Sequence, residues 1–174
     1  LCPDDNCGDG RAAGYKRVKV KSGSDIDLHE RDDCWCYDVT LEGIEFFADS
    51  STSSALFVLP HDDTEQSALS LTITNSIIDG GGYQNGLSGS DIDELFVTGS
   101  TITNSYTGVY ITGGENYECG SVANHHINES SFIDNDYNIY ISSDCEGTFD
   151  ATYNWWGSPE GPGDSVEGDV DTGN

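Results

Sequence analysis

Apolar and polar positions alternate in short runs along most of this chain, and the runs recur. From Leu69 the sequence reads LSLTITNSIIDGGGYQNGLSGS, from Leu95 LFVTGSTITNSYTGVYITGG, from Ile127 INESSFIDNDYNIYISSD, and from Phe149 FDATYNWWG. An earlier copy is VTLEGIEFFADSSTSSALFVL. Period-two alternation predicts strands, because neighbouring side chains on a strand point to opposite faces. Each copy opens on alternating apolar residues, passes through Asn, Ser or Gly, and reaches a large apolar anchor. The anchors are Phe46, Ile78, Ile102, Phe132 and Trp155, separated by 32, 24, 30 and 23 residues. Two copies close alike, on Gly108-Val109-Tyr110-Ile111 and Asn138-Ile139-Tyr140-Ile141.

Repeats of this length, made of short strands without a helical period, predict a solenoid. The Leu-x-x-Leu-x-Leu pattern of leucine-rich repeats is missing. Constant strands joined by variable loops suit an all-β parallel β-helix of about five turns, with the length differences placed at the corners. The anchors then form one inward column, and Val109 and Ile139 belong to a second. Two units are expected: an N-terminal segment over 1–36 and the β-helix over 37–174. Trp155 is assigned the inward slot after Phe132, and Trp156 is expected to point outward or lie over the corner. Gly157, Pro159, Gly161 and Pro162 stop strand pairing, so this ending reads as a cap over the last turn. A sugar-stacking tryptophan platform is the rival reading.

The phrases STITNSYTGVYI and SSFIDNDYNIYI resemble the common turn of right-handed parallel β-helix proteins. That group includes pectin-degrading enzymes, phage tailspikes and many archaeal and bacterial surface proteins. NWWGSPEGP is similar to the Asn-Trp-Trp-Gly…Gly-Pro ending of such secreted surface proteins, haloarchaeal ones among them. The resemblance covers about residues 37 to 163. It implies a right-handed β-helix, and it says little of activity, since this fold carries many functions.

Charge narrows the functions. The formal net charge is −26 over 174 residues. All six cations (Arg11, Lys16, Arg17, Lys19, Lys21 and Arg31) lie in the first 31 residues, which also hold six acids. The other 26 acids occupy a body with no Lys or Arg. Such a body repels nucleic acid and anionic membrane. No apolar run approaches the length of a membrane span. Adaptation to high salt and binding of Ca²⁺ both account for the acids. No cofactor is required by either, and the Ca²⁺ candidates are Asp91, Asp93 and Glu94 in the loop GSDIDE. PDDNCGDG has Cys7 where a calcium loop needs an acid or Asn.

Six cysteines (Cys2, Cys7, Cys34, Cys36, Cys119 and Cys145) predict three disulfides in an oxidising, extracellular setting. Local bridging of Cys2 and Cys7 with Cys34 and Cys36 is expected, with other pairings open. The chain begins at Leu1 and is expected to be a processed or trimmed form. Asn128-Glu129-Ser130 is the only Asn-x-Ser/Thr sequon, which makes Asn128 the glycosylation candidate.

No catalytic set is assigned. A lyase on this fold needs a cationic base, which the body lacks. A hydrolase needs carboxylates on neighbouring turns, roughly 6.5–9.5 Å apart for an inverting pair. Asp79, Asp91, Asp93, Asp134 and Asp136 form no column through consecutive turns. His29, His61, His125 and His126 are expected to be solvated loop residues, and the adjacent pair cannot easily serve one ion. The expected function is therefore a non-enzymatic extracellular structural or adhesive protein, on a cell surface, appendage filament or virion of a salt-loving source. A carbohydrate-binding or polysaccharide-cleaving module is the alternative, with glycans as partners. Self-association is expected head to tail, through the strand-like run Tyr15, Lys16, Arg17, Val18, Lys19, Val20 and Lys21.

Overall fold

A computed structural model describes residues 36–49, 52–58, 68–90, 92–113 and 119–173. The basic run from Tyr15 to Lys21 lies outside the described residues, as do Cys2, Cys7, Cys34, His29, His61 and Asp91.

Strands come in triples along the chain. The first triple is β1 (Cys36–Glu42), β2 (Glu45–Phe47) and β3 (Ser54–Val58). The second is β4 (Ala68–Thr74), β5 (Ile77–Asp79) and β6 (Asn85–Gly89). The third is β7 (Glu94–Thr98), β8 (Thr101–Thr103) and β9 (Thr107–Ile111). The fourth is β10 (His125–Asn128), β11 (Ser131–Ile133) and β12 (Tyr137–Ile141). Three two-residue strands follow: β13 (Phe149–Asp150), β14 (Val166–Glu167) and β15 (Val170–Asp171). A 3₁₀ turn at Gly163–Ser165 precedes β14.

The chain visits three sheets in rotation. One sheet runs β1-β4-β7-β10-β13-β15, the second β2-β5-β8-β11, and the third β3-β6-β9-β12-β14. Every strand pairing among the described residues is parallel. The molecule is therefore all-β with three parallel sheets, an arrangement compatible with a parallel β-helix.

Alternation puts the apolar residues inside, and the pairing register stacks them in columns. Phe46, Ile78, Ile102 and Phe132 are successive partners, each at most 1% exposed. Leu56, Leu87, Val109 and Ile139 form the inward column of the five-stranded sheet. The six-stranded sheet contributes Leu41, Ile73, Val97 and Ile127. Each fully buried Leu, Ile or Phe contributes about 1.5–3 kcal/mol relative to exposure.

Polar ladders hold the corners. Gly43, Asn75, Gly99, Glu129 and Tyr153 all have φ between 50° and 64°. This left-handed kink turns the chain from the first sheet into the second and delivers the next residue inward. From the second repeat on, that residue is Ser76, Ser100, Ser130 or Asn154, each buried. Backbone N–H groups donate up the stack: Ile44 to Ser76 Oγ (3.1 Å), Ser76 to Ser100 Oγ (3.2 Å), Ser100 to Ser130 Oγ (3.2 Å) and Ser130 to Asn154 Oδ1 (2.9 Å). Every serine hydroxyl donates in turn to the carbonyl two residues earlier. The ladder thus satisfies corner N–H groups that have no strand partner.

The ladder also corrects the assignment of the tryptophans. Ser131 bridges to Trp155, so the residue opposite Phe132 is Trp156. Trp156 is 5% exposed and stacks on Phe132 with centroids 4.7 Å apart and planes 14° apart. Trp155, given the inward slot from its spacing, is 48% exposed. The physical reason is the corner: Asn154 is drawn inward by its hydrogen bonds, and strand alternation then sends Trp155 out and Trp156 in.

Candidate functional site

The most elaborated polar cluster among the described residues sits on the outer face of the six-stranded sheet. Its outward positions alternate with the core columns. Thr72, Phe96, His126, Asp150 and Asp171 follow one another in register, and Thr74, Thr98 and Asn128 form the next column. His126 lies flat on Phe96, with centroids 5.3 Å apart and planes 4° apart. Its Nδ1 is 2.9 Å from Asp150 Oδ2. Both side chains are about a third exposed, at 35% and 34%.

Asp150 is held from every side. Its Oδ1 accepts from Asn128 Nδ2 (3.2 Å), Thr152 N (3.0 Å) and Thr152 Oγ1 (2.8 Å). Partial burial raises the carboxyl pKa, but the bonds from His126, Thr152 and Asn128 outweigh it and hold the group down at about 2. An ionised Asp150 favours the imidazole tautomer with hydrogen on Nδ1, leaving Nε2 as the acceptor. The arrangement can therefore accept a hydrogen bond at Nε2, beside the ring of Phe96.

Sequence reasoning placed both adjacent histidines in solvated loops, and the structure overturns this. They lie on β10, His125 facing the core at 1% exposure and His126 facing out. His125 follows Leu95 in the inward column and meets Phe149 edge-on at 6.0 Å. Burial is the main cause that lowers its pKa to about 4; the neighbouring His126 lowers it further, and a hydrogen bond to the Ile92 backbone opposes them. Its Nδ1 has no partner among the described residues. The missed signal was His125 at a position where each earlier copy carries an apolar residue (Leu71, Leu95).

The other sequence candidates are dispersed. Asp93 is exposed, and Glu94 is half-buried at the start of β7. Among the described residues no group of three or more His, Cys, Asp or Glu is gathered to hold a metal ion. Asp79 is committed to a corner, accepting from Gly81 N (2.8 Å) and Asn104 Nδ2 (2.9 Å). Asn128 Nδ2, the sequon nitrogen, already donates to Asp150 and to Thr152 O and Oγ1. Cys119 and Cys145 form a disulfide. Cys36 opens β1. Among the described residues no helix is long and apolar enough to cross a membrane. Comparison with protein-family models, with curated proteins and with solved structures gives no match.

Proposed function

We propose that this chain is a right-handed parallel β-helix of about five turns that serves as an extracellular structural or adhesive subunit, without enzymatic activity. On this reading it belongs to a surface, filament or virion assembly and joins its neighbour through the N-terminal basic run. The observation that carries the reading is the separation of charge. Six cations precede Asp32, and the 26 acids that follow have no Lys or Arg among them. Within the first 31 residues, neutral overall, the run from Arg11 to Lys21 holds five cations and no acid. A basic run facing an acidic body orients copies head to tail, and a contact of that type extends rather than closes. Of the carboxylates weighed for catalysis, Asp79 supports the same view, since it is occupied by hydrogen bonds within the chain. Electron microscopy and sedimentation of the purified chain in molar salt test it. Fibres or concentration-dependent oligomers are expected; a monomer at every concentration overturns it.

Carbohydrate binding is the second reading, favoured by the Phe96–His126–Asp150 strip. Calorimetric titration with neutral oligosaccharides should then give heat that His126→Ala removes. Equal heat from the variant overturns that reading.

A further inference from the structure

The six-stranded sheet ends on β15, whose far edge has no partner among the described residues. Along this edge the sequence is Asp169-Val170-Asp171. Val170 packs against the core and pairs with Phe149, prolonging the inward column, while Asp171 pairs with Asp150 on the outward side. Asp169 and Asp171 are exposed, as is Glu167 at the end of neighbouring β14. The basic run contains the matching pattern, Arg17-Val18-Lys19-Val20-Lys21.

We propose that this edge is the docking site for residues 17–21 of a second copy, added as the next parallel strand. The inference rests on the head-to-tail reading above and names its joint. Laid one strand spacing beyond β15, about 4.8 Å, Val18 or Val20 continues the inward column over Val170. The flanking cations then fall opposite Asp169 and Asp171. A shift of two residues preserves both matches, whereas a shift of one sets Lys19 over Val170 and valines over the acids. The pattern therefore selects the face, and charge selects the partner. A second copy is the occupant that the head-to-tail reading selects, because the same chain could fill this edge only by running back along the whole stack. The described body begins at Cys36 in β1, at the opposite end of this sheet from β15. Five strand steps separate the two ends, roughly 24 Å. The segment that precedes β1 thus issues from the head, where a neighbour's tail arrives in a head-to-tail stack. Backbone pairing and valine burial hold the joint in molar salt, where charge is screened.

The test uses two full-length variants, Asp169→Lys/Asp171→Lys and Arg17→Glu/Lys19→Glu/Lys21→Glu, with circular dichroism to check that each keeps its sheet. Each variant alone carries like charges on segment and edge. Sedimentation should show its association weakened by roughly tenfold or more. Mixed in equal amounts, the two restore opposite charges at every joint, and oligomers should return. If wild type associates and Asp169→Lys/Asp171→Lys associates equally well, the edge is not the joint, although the head-to-tail reading stands. A mixture that stays dissociated also overturns the inference. If wild type is monomeric throughout, the head-to-tail reading itself fails.

Discussion

A histidine buried among Leu95, Phe149 and Ile92 makes the core acid-sensitive at one residue. The fold favours neutral His125, whose pKa falls from 6.5 to about 4. Its contribution to stability is complete above pH 6.5 and is lost progressively as pH falls toward 4, on the order of 3 kcal/mol in all. Asp150 acts in a lower window: its folded pKa is depressed, so its contribution is present above about 3.8 and lost as pH falls through about 2. His125→Leu matches the residues stacked beside it and removes the orphaned Nδ1. Thermal melts from pH 7.5 to 4 should show the wild-type melting temperature dropping below pH 6.5 while the variant stays nearly flat. Parallel curves would show that His125 is not the acid-labile group. The two tryptophans make a second contrast at this scale. Trp156→Ala removes the ring stacked on Phe132 and should cost about 3–5 kcal/mol. Trp155→Ala, on the exposed side, should cost less than about 1 kcal/mol. Urea denaturation of both decides it, and equal losses would refute the stacking assignment.

Between strands, the corners depend on single hydroxyls. Ser100 Oγ accepts from Ser76 N and donates to Thr98 O within a buried stack. Ser100→Ala leaves the Ser76 N–H without its acceptor, at a cost of about 1–3 kcal/mol. Thr101→Ala, one residue on and facing outward, should stay within about 0.5 kcal/mol. Equal unfolding midpoints for the two variants would remove the ladder from the account of stability. This element also shows what could be read from the sequence. The inward residues Phe46, Ile78, Ile102, Phe132, Val109 and Ile139 were legible because burial enforces period-two alternation. The kink that precedes each ladder residue was not, because Gly43, Asn75, Gly99, Glu129 and Tyr153 share a backbone angle and no side-chain chemistry. Counting back from the ladder residue, rather than from the large apolar one, would have placed Asn154 in line with Ser130 and therefore Trp156 in line with Phe132. The strip on the outer sheet was hidden for a related reason. Phe96, His126 and Asp150 are far apart in the chain, and only the strand register brings them into one column.

At the scale of the whole molecule, acids gather away from the sheet centres. The described corners and loops carry Asp49, Asp93, Glu129, Asp134, Asp136, Asp144, Glu146, Glu160, Asp164 and Asp169. The four-stranded sheet, by contrast, shows outward Glu45, Phe47, Ile77, Asp79, Thr101, Thr103, Ser131 and Ile133, with two acids among eight. Repulsion among the 26 acids of the body acts across solvent, so mobile ions screen it. At an ionic strength of about 0.01 M the screening length is about 30 Å, and at about 1 M it is about 3 Å. The first length exceeds a stack of five strand spacings, about 24 Å; the second is shorter than the spacing of about 4.8 Å between neighbouring strands. Dilute buffer therefore leaves most of the self-repulsion in place, and molar salt removes all but the contacts between near neighbours. The melting temperature should rise steadily from dilute buffer to molar KCl, as measured by the far-ultraviolet sheet signal. Millimolar Ca²⁺ added at constant ionic strength separates screening from binding: a further rise marks a site for the ion, because only a ligand bound to the folded state stabilises beyond screening. A melting temperature indifferent to both would mean that the acids are too well dispersed to oppose folding, and salt adaptation would no longer explain their number.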